Sequence, residues 1–323
     1  MNNLAILTSR PLDLPKALDG AAAIRMAVDA NQLLLCVATD DYRITGVPIK
    51  DGAESFDAEL PSPSAILSMH PVPELDALFL PCEDGTLLLL HLEGRRFETV
   101  GDLEGGLLSA SGSPDGELML CLTASLTMVA LSASWEVLSE IELDASIAGP
   151  GLRPAFAWQE DGLKVAMLSE DASGARVVSV YDRTLTLEFR SDPLPNLGNQ
   201  LAFSPDGALI ATSQRVGEGD AAHLDIIFFE PNALRHYEFS LPARCASATV
   251  AGLSWNADGS LLAVCLEGMS GSGDEELLDA VQVPMAFPRF LVLSQSWSLQ
   301  FGETRLFSSS RLTHLCHPFS TAN

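Results

Sequence analysis

Leu201-Ala202-Phe203-Ser204-Pro205-Asp206-Gly207-Ala208-Leu209-Ile210-Ala211 decides the fold of this chain. A short apolar start ends in an aromatic residue, a Ser-Pro-Asp-Gly turn follows, and a second apolar run returns. In such a turn Pro presets the first dihedral, Asp hydrogen-bonds the local backbone, and Gly accepts the positive φ that folds the next strand back. The stretch predicts a β-hairpin. The pattern recurs at Ser113-Pro114-Asp115-Gly116, at Trp158-Gln159-Glu160-Asp161-Gly162 and at Trp255-Asn256-Ala257-Asp258-Gly259, each followed by an apolar run. Successive glycines at 116, 162, 207 and 259 lie 46, 45 and 52 residues apart. That period is close to the ~40–45 residues of a four-stranded propeller blade.

Further strands fill each interval. Leu126–Leu131 and Glu136–Ile141 follow the first hairpin, Arg176–Tyr181 and Leu185–Phe189 the second, Leu224–Phe229 and Arg235–Phe239 the third. In the first hundred residues, Leu33–Ala38 turns at Asp40-Asp41 into Tyr42–Val47, and Ala77–Leu80 turns through Glu83-Asp84-Gly85 into Leu87–Leu90. These two read as the inner hairpins of two further blades, which makes six. Long helical periodicity is absent, so the fold class expected is all-β, a WD-repeat-like β-propeller of six to seven blades with the last blade incomplete or irregular. The propeller is expected over 1–283. Residues 284–323 read as a divergent, poorly structured tail, because Pro284 and Pro288 interrupt the strand that Ala280-Val281-Gln282-Val283 begins.

Composition narrows the function. The 323 residues hold 18 Lys and Arg against 43 Asp and Glu, a formal charge of −25 and a pI near 4.4. Polyanions bind through Lys and Arg, so direct contact with DNA, RNA or an anionic membrane is disfavoured. At 47% apolar residues and a mean hydropathy of +0.21, the chain can bury a core. No apolar run approaches the ~20 residues that span a bilayer, and the N-terminus lacks the basic and apolar regions of a secretory signal. Six cysteines occur without a Cys-x-x-Cys pair, and Cys36, Cys121 and Cys265 lie inside apolar runs as buried thiols do. The chain reads as soluble and intracellular.

The middle of the chain resembles the N-terminal propeller of the largest subunit of the Elongator complex, the IKAP family. The likeness rests on Phe156–Gly162, Ala175–Arg183, Leu201–Ala211, Asp225-Ile226-Ile227-Phe228-Phe229-Glu230-Pro231-Asn232 and Leu253–Val264, with Met1-Asn2-Asn3-Leu4 similar to the family's start. The resemblance implies a non-catalytic scaffold in an assembly that modifies the wobble uridine of transfer RNA, where the third subunit holds the chemistry. The partners implied are the second and third Elongator subunits, with transfer RNA reached only indirectly, in the cytoplasm or also in the nucleus. Family members continue into a second propeller, a helical arm, a dimerisation region and a basic RNA-contacting segment. With Val281-Gln282 followed by Pro284-Met285-Ala286-Phe287-Pro288, the expectation here is a truncated or mis-spliced product without the dimerisation region. The alternative is a generic β-propeller interaction module outside Elongator.

The residues nominate no catalytic, cofactor-binding or metal site. His314-Leu315-Cys316-His317 lacks the second ligand pair of a closed zinc site, and Asp274-Glu275-Glu276 lacks the spacing of a calcium loop. Asp115, Asp161, Asp206 and Asp258 are accounted for by hairpin turns, and Trp158, Phe203 and Trp255 by packing between blades. His70, His91, His223 and His236 show no spacing to a Ser or Cys nucleophile. Gly217-Glu218-Gly219-Asp220 lacks the lysine and helix of a phosphate loop. No cofactor is expected.

Overall fold

Runs such as Leu118-Met119-Leu120-Cys121-Leu122 are apolar at every position, which suits a strand covered on both faces. In the computed structural model, which describes residues 23–29, 31, 34–49, 55–143, 155–170, 173–217, 219–267 and 289–295, such runs are the middle strands of small sheets. The chain divides into two compact units, with the boundary at 144/145.

The first unit has three four-stranded antiparallel sheets. The first contains β1 (Ala23–Asp29), β2 (Leu34–Thr39), β3 (Arg43–Pro48) and β4 (Phe56–Glu59). The second contains β5 (His70–Val72), β6 (Ala77–Pro81), β7 (Thr86–His91) and β8 (Arg96–Asp102). The third contains β9 (Leu107–Gly112), β10 (Leu118–Thr123), β11 (Thr127–Ser132) and β12 (Val137–Glu142). Strands alternate their side chains between faces. Leu78 and Leu80 of β6 therefore join Cys36, Ala38 and Ile44 of the first sheet. Ala77 and Phe79 join Met119, Cys121 and Val129 of the third.

The second unit repeats the plan. Its first sheet is β13 (Phe156–Trp158), β14 (Lys164–Glu170), β15 (Arg176–Asp182) and β16 (Leu187–Arg190). The next is β17 (Ala202–Phe203), β18 (Ile210–Val216), β19 (His223–Phe229) and β20 (Arg235–Ser240). Ile227 and Phe229 pack with Ala166, Leu168 and Val178. Ile226 and Phe228 face the other way, onto Leu253, Trp255, Leu262 and Val264. The last sheet has three strands, β21 (Thr249–Trp255), β22 (Leu261–Glu267) and β23 (Arg289–Gln295). The four-strand repeat breaks there. β23, inside the stretch read as a tail, pairs parallel to β22, whereas every other ladder among the described residues is antiparallel. The strand start expected at 280–283 lies outside the described residues.

One turn geometry joins most strands: a carbonyl accepts from the N–H three residues on, and that residue takes a positive φ. Between first and second strands this residue is Gly116, Gly162, Gly207 or Gly259. Between second and third strands it is Tyr42, Gly85 or Leu126, and between third and fourth it is Trp135, Leu185 or Ala233. This corrects the reading of the first hundred residues. The hairpins at Asp40-Asp41 and Asp84-Gly85 join β2 to β3 and β6 to β7, so they are middle hairpins and not inner ones. The inner strands of those sheets are β1 and β5, and β5 reaches β6 through a 3-10 turn at Pro73–Leu75 with no Asp-Gly signal.

A second repeat closes four of the sheets. Leu60, Leu103, Leu143 and Leu241 each follow a fourth strand, and each donates its N–H back across the sheet. The acceptors are the carbonyls of Tyr42 (2.9 Å), Gly85 (3.0 Å), Leu126 (2.8 Å) and Leu224 (2.8 Å).

Candidate functional site

The four recurrent aspartates behave as turn residues. Each Oδ1 accepts the N–H two residues on, from Glu117 to Asp115 (3.0 Å), Leu163 to Asp161 (2.9 Å), Ala208 to Asp206 (3.0 Å) and Ser260 to Asp258 (2.8 Å). The Ser204 hydroxyl and the Ala208 N–H hold the Asp206 carboxyl below the usual range, and the Ser260 contacts do the same for Asp258. A carboxylate held ionised inside its own turn is a poor general acid.

The recurrent aromatics belong to the core. Phe203 is buried between the first two sheets of its unit. Trp255 is buried one sheet further on, with its ring centroid 6.1 Å from that of Phe228 and Nε1 3.4 Å from the Ala202 carbonyl it donates to. Trp158, half-buried, ends β13.

The histidines are dispersed. His91 contacts Glu98 (2.8 Å), His236 contacts Glu230 (3.1 Å), and His223 Nε2 lies 3.5 Å from Asp225. Spacing had paired no histidine with a nucleophile, yet His70 Nε2 lies 2.8 Å from the Ser68 hydroxyl. Burial lowers the His70 pKa to about 4, which makes a weak base. A nucleophile pair also needs a third group to orient the imidazole, and among the described residues no hydrogen bond to His70 Nδ1 occurs. The thiols are equally inert: burial pushes Cys36, Cys82 and Cys121 up to about 12.

Gly217 and Gly219 form a tight turn, in which a Cβ on Gly217 would sit 2.8 Å from the Ala221 carbonyl oxygen, and Gly219–Ala221 is a 3-10 turn. His314-Leu315-Cys316-His317 and Asp274-Glu275-Glu276 lie outside the described residues. Among the described residues no group of three or more His, Cys, Asp or Glu is placed to hold a metal ion, and no helix is long and apolar enough to cross a membrane.

The sparse basic groups are largely engaged by backbone and carboxylates. Arg25 donates to the Leu67 carbonyl. Arg176 donates to Leu197 and Gly198, and Arg215 to Ala246 and Ala248, so each guanidinium ties down the segment that crosses to the next sheet. Arg43 pairs with Asp57 and Arg235 with Glu238.

What remains is surface, carried by turns and outer strands. Residues 1–150 and 152–285 match the family described as ELP1 first N-terminal beta-propeller. The chain belongs to this family. The match takes in every sheet strand except β23. Elongator complex protein 1 from Rattus norvegicus is 28% identical over 269 residues, covering 72% of this chain and 20% of that protein. The Schizosaccharomyces pombe protein of the same name is 24% identical over 287 residues, covering 70% and 23%. The chain thus spans about a fifth of the length of these curated relatives. Among solved structures, Kuenenia stuttgartiensis Hydrazine Synthase superposes with a TM-score of 0.57 at 14% identity, covering 80% of this chain and 76% of that one, a likeness of fold alone. Asp225–Asn232, a stretch that carried the family resemblance, is strand β19 with its turn. There Glu230 and Asn232 hydrogen-bond to each other (3.1 Å), and Asn232 accepts the Leu234 N–H (3.0 Å).

Proposed function

We propose that this chain is a non-catalytic scaffold propeller of an Elongator complex that works in wobble-uridine modification of transfer RNA. The observation that carries the reading is the family match across its repeated four-stranded sheets. Inert thiols, aspartates absorbed in turns and a histidine too weakly basic to activate Ser68 support a role without chemistry. The partners are the second and third Elongator subunits, and the compartment is the cytoplasm. With a charge of −25 the chain favours basic protein patches over phosphates, so transfer RNA is reached through the other subunits. The propeller is assigned to 1–283 and the divergent segment to 284–323.

Co-purification of the tagged chain from its own cells tests this. Recovery of the second and third subunits is the expected result. A folded chain that recovers none of them overturns the reading and leaves an interaction module outside Elongator.

A further inference from the structure

Outer strands of sheets present unpaired backbone groups, and proteins guard them with lysine, proline, short length or bulges. β4 and β16 have four residues each. Each of the outer strands β4, β8, β16 and β20 also places an acid against a base: Asp57 with Arg43, Glu98 with His91, Glu188 with Lys164 and Glu238 with Arg235. β12 shares with β8, β16 and β20 a register shift against its neighbour, but it has no such pair. Its six residues, Val137-Leu138-Ser139-Glu140-Ile141-Glu142, include no base, proline or glycine, and among the described residues it ends its sheet. Glu136, Glu140 and Glu142 are exposed and make no ion pair among the described residues. Val137 and Leu138 are 54% and 59% exposed and lie at the register shift, where Val137 stands opposite Leu131 and Ser139 opposite Ala130.

We propose that β12 is a docking edge for an extended basic segment of a partner protein, which adds to the third sheet as a fifth strand. Backbone hydrogen bonds supply the affinity in strand addition, and alternate side chains supply the choice of partner. Leu138, Glu140 and Glu142 share one face of the strand, and Glu136 adds a further carboxylate just before the register shift, so the fitting segment alternates Lys or Arg with an apolar residue. A second copy of this chain is the wrong occupant, because two β12 strands side by side set carboxylates against carboxylates. The inference goes beyond the scaffold reading and stands without it, since failure to recover Elongator subunits leaves the edge unchanged.

The test is a titration of the full chain with a labelled short peptide that alternates lysine and valine, read by fluorescence anisotropy at low salt. The variant with Glu136→Gln, Glu140→Gln and Glu142→Gln binds about tenfold more weakly, as loss of three exposed ion pairs implies. The charge-matched variant with Glu74→Gln, Glu93→Gln and Glu104→Gln, all exposed positions in the same unit, binds as the parent does. Amide exchange of β12 slows when the peptide is added. Equal weakening in both variants marks diffuse attraction to an acidic protein and overturns the proposal. Absence of binding, or β12 amides that exchange unchanged in the bound state, overturns it as well.

Discussion

The turn at Gly116 and the turn at Trp135 flank the same sheet and share one backbone conformation, with φ of 73° and 66°. Nothing lies within 4 Å of where a Cβ on Gly116 would point. At Trp135 the side chain is the purpose of the turn: its ring stacks on Phe79 of the neighbouring sheet, centroids 4.1 Å apart and planes 8° from parallel. Leu185 and Ala233 hold the equivalent place in the second unit, each 2% exposed. The left-handed conformation costs an L-residue roughly 1–2 kcal/mol. Glycine avoids that cost where the turn faces outward, and an apolar residue offsets it where the turn plugs the space between two sheets.

The largest test removes the plug. Trp135→Ala should lower stability by about 3 kcal/mol, the scale for truncating a large aromatic in a core. Trp135→Gly should recover about 1 kcal/mol of that loss, because only the backbone strain differs between the two variants. Urea midpoints at a constant m-value measure both. If the two variants are equally stable, the strain assigned to this turn is absent.

Gly207→Ala and Gly116→Ala sharpen the comparison from the glycine side. Both add strain of about 1 kcal/mol. A Cβ on Gly207 also collides with the Gln159 side chain, which reaches over from the preceding hairpin of the same unit. Moving that amide makes Gly207→Ala the more costly change, about 2 kcal/mol in all. Equal midpoints for the two variants would show that the Gln159 contact yields freely.

The contrast also explains what could be read from the chain. Asp-Gly at 116, 162, 207 and 259 is a visible signal because glycine and aspartate do local work there. Trp135, Leu185 and Ala233 fill the same backbone position for reasons that lie in the next sheet, so no local pattern marks them. In the first hundred residues the signal misleads: Asp84-Gly85 sits in a middle hairpin, while the inner connection of that sheet is Pro73–Leu75. The tethers from Leu60, Leu103, Leu143 and Leu241 leave no mark in the sequence, because a single leucine after a strand looks like core. The exposed edge at β12 was equally hidden. Its sequence reads as an ordinary strand, and only the pairing order shows that no strand among the described residues covers it.

The smallest effect separates the aspartate-capped turns at Asp206 and Asp258 from the serine-capped turn at Trp135 by pH. Asp206 and Asp258 titrate below the usual carboxylate value of 3.8, because the Ser204 and Ser260 contacts favour the ionised form. A depressed folded pKa adds stability that is complete above the unfolded value and is lost as pH falls through the folded one. The turn at Trp135 is capped by the Ser132 hydroxyl and has no such carboxylate. The turn at Leu185 has its own in Asp182, held low despite desolvation by the Thr184 and Thr186 donors, and the double variant leaves it in place. Melting temperatures of the parent and the Asp206→Asn, Asp258→Asn double variant should therefore converge as pH drops below about 4. Both carboxyls are largely exposed, so solvent screens the gain and the gap at neutral pH is small. A gap that stays constant down to pH 3 would mean that these carboxylates stabilise their hairpins through shape and not through charge.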